Sequence, residues 1–356
     1  MKLSIGIVGL PNAGKSTLFN ALIDKPKAAV AAHPFTTIDK NIGVVNVPDD
    51  TLFKLAKIEK IDKVTPTTIT FVDIAGLIKG ANLGEGLGNQ FLHHIREVDL
   101  ILHLVRFFKD EKVAHVHSQI DPEDDLAVVN EELMLADLQS MDRKLKMEKT
   151  TEEEQEIIKK LIDRLNQARP DQPNPTEAVG SGWPESEEKY IKTLNLLSFK
   201  KQLVIANIGE EEVNSPAKQI NGQEVLSVCA QLEAELNDLP WVEQQKFLKD
   251  VGLKTSLKDK IIKESYRALD IITFYTIAKR NEARAWTLRR GGSALEAAGK
   301  IHTDFATHFV KVEAINADEL IRLGGWHQAH QKGKVILHGK DYLVQDKDVL
   351  EFKVNV

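Results

Sequence analysis

Short, almost unbroken apolar runs recur along the first third of the chain and again near residue 200, each separated from the next by polar or helix-period stretches. Residues 2–8 (K-L-S-I-G-I-V) predict a buried strand, and residues 18–23 predict the helix that follows a glycine-containing loop. Residues 67–72 predict a second strand ending at Asp73, residues 100–105 a third and residues 202–206 a fourth. Strands that are apolar on both faces and alternate with helices imply an α/β domain built on a doubly wound, mostly parallel sheet.

The pattern changes between residues 130 and 169. Met134, Leu138, Met141 and Leu145 are spaced by four, three and four, and after a polar break near Thr150 the positions Ile158, Ile162 and Leu165 repeat that spacing. Charges fill the other faces, as in an antiparallel coiled-coil hairpin; two surface helices of the main domain are the alternative. Pro170, Pro173, Pro175, Gly180, Gly182 and Pro184 mark a loop, and a helix to about Ser198 leads back into the sheet. The hairpin, residues 130–198, therefore reads as an insertion within a nucleotide domain formed by 1–129 and 199–270. From 271 onward short strand-like segments dominate (273–277, 285–288, 310–314, 335–337 and 349–354), with a capping-box pair at Ser293 and Glu296. Residues 271–356 predict a small α+β domain without a catalytic constellation of its own.

Length and composition narrow this picture only a little. The 356 residues exceed what one core usually holds, which fits several domains. A net charge of −6 argues against a chain that coats nucleic acid along its whole surface, and no DNA partner is expected. Cys229 is the only cysteine, which rules out an internal disulfide and fits a reducing cytoplasm. No run of about 18 apolar residues occurs, and the N-terminal pattern reads as a strand rather than a targeting segment, so a cytoplasmic, non-membrane protein is expected.

The chemistry concentrates in Gly9-Leu10-Pro11-Asn12-Ala13-Gly14-Lys15-Ser16, which matches G-x-x-x-x-G-K-[ST] between a predicted strand and a predicted helix. Glycines let the backbone N–H groups of Asn12, Ala13, Gly14, Lys15, Ser16 and Thr17 turn toward phosphate, and the helix N-terminus adds its positive dipole end. Lys15 brings a point charge to the β and γ phosphates, and the Ser16 hydroxyl suits Mg²⁺. Thr37, in Pro34-Phe35-Thr36-Thr37, is the candidate second metal ligand that senses the γ-phosphate. Asp73-Ile74-Ala75-Gly76 follows the second strand; Asp73 is placed to hold a Mg²⁺ water and the Gly76 N–H to meet the γ-phosphate. These two tetrapeptides gain weight from their order after the phosphate loop.

Base recognition is expected at Asn207-Ile208-Gly209-Glu210, which closes the fourth strand. Guanine-specific P-loop proteins carry N-K-x-D there, and their Asp accepts two hydrogen bonds from the guanine edge. Ile208 stands in place of the Lys and Glu210 in place of the Asp, one methylene longer. Losing that charge-assisted pair costs roughly 1.5–3 kcal/mol, about 10- to 100-fold of guanine preference. ATP is therefore the expected nucleotide, with GTP accepted less well. Cys229 and Ala230, in S-V-C-A after another short strand, offer further backbone contacts to the base.

Together, G-L-P-N-A-G-K-S-T-L-F-N, P-F-T-T-I, V-D-I-A-G-L-I-K-G-A, G-L-G-N-Q-F-L and N-x-x-E resemble the YchF/Obg-like ATPase family of P-loop NTPases, and R-A-W-T-L-R and A-A-G-K-I-H-T-D-F extend the likeness into the C-terminal part. The resemblance implies a P-loop domain, an inserted coiled coil and a C-terminal TGS domain of the β-grasp type. It also implies ATP hydrolysis that is slow alone and coupled to the ribosome or its large-subunit RNA or protein, in translation or stress regulation. The sequence leaves the oligomeric state open, with a monomer as the default expectation.

Many such enzymes orient the attacking water with a Gln directly after the D-x-x-G glycine. Leu77 stands there and cannot hydrogen-bond water. Two substitutes are read from the sequence: a K⁺ ion held near Asn12, and catalytic His115 in the polar segment after the third strand, with a surface histidine as the alternative. His93 and His94 read as helix residues. A GTPase of the Obg class is a competing reading. Another is an RNA-binding regulator using Arg284, Arg289, Arg290, Lys200 and Lys201, with hydrolysis incidental.

Overall fold

The computed structural model describes residues 3–23, 41–74, 87–110, 113, 119–147, 150–250, 256–278 and 281–355. In chain order the strands are β1 (Leu3–Val8), β2 (Asn41–Asn46), β3 (Val64–Thr65), β4 (Thr68–Asp73), β5 (Leu100–Arg106), β6 (Gln202–Asn207), β7 (Gln219–Ile220), β8 (Gln223–Glu224), β9 (Leu226–Val228), β10 (Ile271–Ala278), β11 (Glu282–Arg289), β12 (Phe309–Asn316), β13 (Ile336–His338) and β14 (Asp348–Val354). Two compact units emerge, one of Leu3–Val45 with Thr70–Lys260, the other dominated by Asn46–Ile69 with Ile261–Val356.

In the first unit six strands run in the order β2-β4-β1-β5-β6-β9, and β1–β5, β5–β6 and β6–β9 are parallel. From β1 the chain forms β2 and then β4 on one side and crosses to β5 on the other. The carboxyl end of β1 is thus the switch point at which open α/β sheets hold ligands. The four predicted strands all form, and β5 and β6 each run one residue further than their apolar patterns, to Arg106 and Asn207. The Leu87–Glu97 helix and the first turns of the Pro122–Leu145 helix bury Phe91, Ile95, Val129 and Leu133 with Val8, Val72 and Ile101.

The Pro122–Leu145 helix starts eight residues before the heptad-like spacing suggests. Asp121 caps it by accepting from Glu123 N and Asp124 N, and Pro122 sits at the first helical position, where its missing N–H costs nothing. Further along, Met134, Leu138, Met141 and Leu145 pack with Ile158, Ile162 and Leu165 of the Glu152–Asn166 helix in one cluster, as the spacing predicted. Fully buried Asp137 anchors this hairpin to the returning chain by accepting from Leu197 N (2.9 Å), Ser198 N (2.8 Å) and Ser198 Oγ (2.7 Å). Burial pushes its carboxyl pKa up while those hydrogen bonds pull it down. Among the described residues no helix is long and apolar enough to cross a membrane.

The second unit holds the sheet β13-β12-β14-β10-β11-β3. The Ala294–Ile301 helix, opened by the Ser293–Glu296 capping box, covers Ile272, Phe274, Leu288, Val312 and Leu350. The Asp50–Glu59 helix packs Leu52, Leu55 and Ala56 with Tyr275, Ala283, Ala285, Ile315 and Val349. Strand alternation sends these two sets to opposite faces, so the sheet is covered on both sides. Asp49, which caps the Asp50–Glu59 helix, also accepts from the Tyr275 hydroxyl at 3.1 Å.

Candidate functional site

The turn after β1 is shaped by two glycines. Gly9 has φ +152°, and a Cβ there would lie 2.3 Å from the Leu104 carbonyl oxygen. Gly14 has φ +95°, and a Cβ there would meet Asn207 Nδ2 at 2.4 Å. Neither position tolerates a side chain, so the loop lies tight against β5 and β6 and delivers the N-terminus of the Lys15–Leu22 helix to its open side.

That side is a cavity of about 600 Å³. Asn12, Gly14, Lys15, Ser16, Thr17, Asn207, Ile208, Glu210, Cys229 and Ala230 all line it, although they come from three separated stretches of sequence. Ala13 differs: its side chain is buried in the core, and its carbonyl accepts from Asn207 Nδ2 at 2.8 Å. Asn207 Oδ1 accepts from Ala230 N at 3.1 Å, so this one carboxamide ties the phosphate loop to the S-V-C-A turn. Ile208 donates its N–H to Val228 O at 2.8 Å and packs with Val105, Cys229 and Leu232. Glu210 opens the short turn Glu210–Glu212 and is exposed, and Glu211 lines the cavity beside it. Burial pushes the Cys229 thiol pKa up, which keeps it protonated and unreactive.

Lys15 is only 9% exposed and its ammonium donates to Leu10 O at 2.8 Å. Burial pushes its pKa down to about 8, against the opposing pull of the Asp73 carboxylate. Ser16 Oγ donates to Asp73 Oδ2 at 3.1 Å. The loop hydroxyl and the carboxylate at the end of β4 therefore meet although 57 residues separate them. Among the described residues no cluster of three or more His, Cys, Asp or Glu forms a metal cage. A hydroxyl that lines the cavity, joined to one carboxylate, is instead the donor set that suits Mg²⁺, which takes few protein oxygens and completes its shell from phosphate and water. Thr37, Gly76, Leu77 and His115 lie outside the described residues.

The cavity also has walls that sequence reasoning missed. Phe108, Lys109, Asp110 and Val113 line it, held by the turn after β5. The one available signal was a polar residue at the end of an apolar strand, Arg106. His103, a second polar residue of β5, lies beside Val8 inside the sheet. It is buried, its Nδ1 lies 3.4 Å from Gln202 Oε1, and Gln202 Nε2 donates to Asn130 Oδ1 at 3.0 Å.

Burial pushes the His103 pKa down to about 4, the Gln202 contact opposing the shift and the Lys15 charge adding to it. The unfolded chain therefore binds a proton below about pH 6.5 that the folded protein refuses until about pH 4, and stability falls as the pH falls through that window. About 3 kcal/mol is expected to be lost through this side chain between pH 7 and pH 4. Urea midpoints of wild type and His103→Gln over that range check this: the difference between them should change with pH, and a constant difference would contradict it.

Of the basic residues singled out for phosphate, Lys200 turns inward and donates to Val98 O at 2.7 Å. Arg284 lies over the Trp286 ring at 4.2 Å, and Arg290 pairs with Asp270 at 2.9 Å. His93 is on the helix surface, 3.4 Å from Glu97.

Residues 4–172 match the family described as 50S ribosome-binding GTPase, and residues 271–355 match the YchF GTPase C-terminal family, described as a protein of unknown function. The chain is 42% identical over 375 residues to the ribosome-binding ATPase YchF of Bacillus subtilis (strain 168), with all of both chains covered. It is 40% identical over 365 residues to the ribosome-binding ATPase YchF of Escherichia coli O157:H7, again over the full length of both. The solved structure of the Schizosaccharomyces pombe YchF GTPase is similar with a TM-score of 0.80 at 32% identity, covering 99% of this chain and 98% of that one. Full-length identity at this level, joined to the phosphate-loop geometry, places the chain in the YchF family of P-loop NTPases.

Proposed function

We propose that this protein is a ribosome-binding ATPase that uses the cavity at the end of β1 to bind and hydrolyse ATP, accepting GTP less well. One observation carries the reading: a buried Lys15 ammonium stands beside the Ser16–Asp73 pair at a helix N-terminus that opens into the cavity. Lys15 and the loop N–H groups from Asn12 to Thr17 hold the triphosphate, except that of Ala13, which donates to Leu10 O at 3.3 Å instead; Gly76 is the residue that would meet the γ-phosphate. Asn207, Ile208, Glu210, Cys229 and Ala230 form the surroundings of the base. Ser16, Asp73 and Thr37 are the residues that would hold Mg²⁺, which when bound neutralises charge on the β and γ oxygens. A K⁺ ion beside Asn12 and His115 are the proposed aids to hydrolysis, since Leu77 cannot orient water. Asn12 itself has φ +63°, a strained conformation of the kind loops keep at functional sites.

The ribosome link rests on the printed names of the full-length relatives. The parts that serve it are the nucleotide domain (1–129 and 199–270), the helical insertion (130–198) and a TGS β-grasp domain (271–356), in a monomeric, cytoplasmic protein. The test is affinity and turnover for ATP and GTP, with and without ribosomes and K⁺. Tighter ATP than GTP binding and ribosome-stimulated turnover are expected. Equal or better use of GTP would favour the Obg-type GTPase reading. Ribosome binding indifferent to nucleotide and intact in Lys15→Ala would favour an RNA-binding regulator.

A further inference from the structure

β5 and β6 end side by side, Arg106 opposite Asn207. Both residues turn their polar groups onto the backbone that walls the cavity. Asn207 secures one part, through Ala13 O and Ala230 N. Arg106 secures another. Arg106 is 2% exposed, and its guanidinium donates from Nε to Phe108 O (3.2 Å) and from Nη2 to Asp110 O (3.3 Å) and Val113 O (3.0 Å). It also lies against the Phe108 ring, 4.4 Å from the centroid. The same turn is tied to β6, because Phe107 N and Phe108 N both donate to Asn207 O, at 2.9 and 3.0 Å.

We propose that Arg106 is a positioning residue for nucleotide binding: it presets the wall formed by Phe108, Lys109, Asp110 and Val113 next to Ile208, at the base end of the cavity, before any ligand arrives. This rests on reading the cavity as a nucleotide site. The physical argument is that of a rigid fork. Three carbonyls converge on one planar cation whose donor directions are fixed, and each bond is charge-assisted. A lysine carries its three donors on one nitrogen, so it cannot span carbonyls that are served here from both Nε and Nη2, and it has no plane to lay on the ring. A wall that is ordered in advance spares the ligand the entropy of ordering it.

The effect must fall on the base and spare the phosphates, because Arg106 grips none of the residues 9–17 through these bonds. In Arg106→Lys, ATP affinity is expected to drop about 10- to 100-fold, while affinity for inorganic tripolyphosphate with Mg²⁺ changes less than about two-fold. Equal losses for both ligands, or an unchanged ATP affinity, would overturn the proposal. Wild-type protein that binds neither ligand would instead sink the nucleotide reading itself. Should Arg106→Lys not fold, amide exchange in the wild-type protein decides. Phe107, Phe108 and Val113 should exchange slowly without nucleotide and gain little protection on adding ATP. A segment that becomes protected only when ATP binds is not preset, and the proposal fails.

Discussion

Replacing Lys15 with alanine is expected to lower kcat/KM for ATP by about 100- to 1,000-fold, the cost typical of removing one preorganised group that meets transition-state charge. The structure makes this lysine hard to replace. It is nearly buried, held by Leu10 O, and rises from the first turn of the helix whose N-terminus lines the cavity. Its burial also predicts a proton signature. With a pKa of about 8 in the free protein, roughly half the molecules carry no charge on Lys15 at pH 8. An anionic triphosphate favours the charged form and raises that pKa, so binding should take up about half a proton at pH 8 and almost none at pH 6.5. Titration calorimetry in two buffers of different ionisation enthalpy reads this directly. A binding enthalpy independent of buffer at pH 8 would remove Lys15 as the titrating phosphate contact.

The second large effect concerns the base. Glu210→Asp shortens the carboxylate by one methylene and brings the segment closer to the N-K-x-D form that reads guanine. Adding Ile208→Lys completes it. The double variant should raise GTP affinity relative to ATP by about 10- to 100-fold, the worth of a charge-assisted hydrogen-bond pair. Glu210 is exposed and can be shortened without disturbing the core. Ile208 is buried against Val105, Cys229 and Leu232, so a lysine there must lay its stem along the same apolar surface and carry its ammonium out into the cavity. The single Glu210→Asp variant therefore isolates the carboxylate from any packing loss. If neither variant shifts the ratio of GTP to ATP affinity, base choice lies with the wall of Phe108, Lys109, Asp110 and Val113 or with the Cys229–Ala230 turn.

How much of this could be read in advance differs from residue to residue. The phosphate loop was legible because its requirements are local: glycines where the backbone needs positive φ or close approach, a lysine and a hydroxyl in fixed order, a strand before and a helix after. The hairpin was legible because Met134, Leu138, Met141, Leu145, Ile158, Ile162 and Leu165 repeat with the period of a helix seam, and all of them meet in one cluster. Glu210 was legible as a departure from a known recognition pattern.

Other features carry no such mark. The hydrogen bonds by which Arg106 builds the wall go to backbone carbonyls, and a carbonyl looks the same at every residue. Asn207 was placed at the base by its motif, yet both ends of its carboxamide grip protein, one of them 194 residues away. His103 reads as an ordinary polar interruption of an apolar strand until burial moves its titration. The Asn46–Ile69 segment packs with Ile261–Val356 through the Asp50–Glu59 helix and the two-residue strand β3, which joins β11 in parallel. Two residues are too few for any period to show.

What the sequence determined by itself is local: a G-x-x-x-x-G-K-[ST] loop between a strand and a helix, two helices that form a seam, and a segment after β6 that departs from N-K-x-D. Only the tertiary structure decided which distant groups share one cavity, which cations are spent on the protein's own backbone, and how far burial moves Lys15 and His103. The reason is physical. Periodicity and turn chemistry are set by neighbours along the chain, whereas desolvation and backbone hydrogen bonding depend on what folding brings alongside.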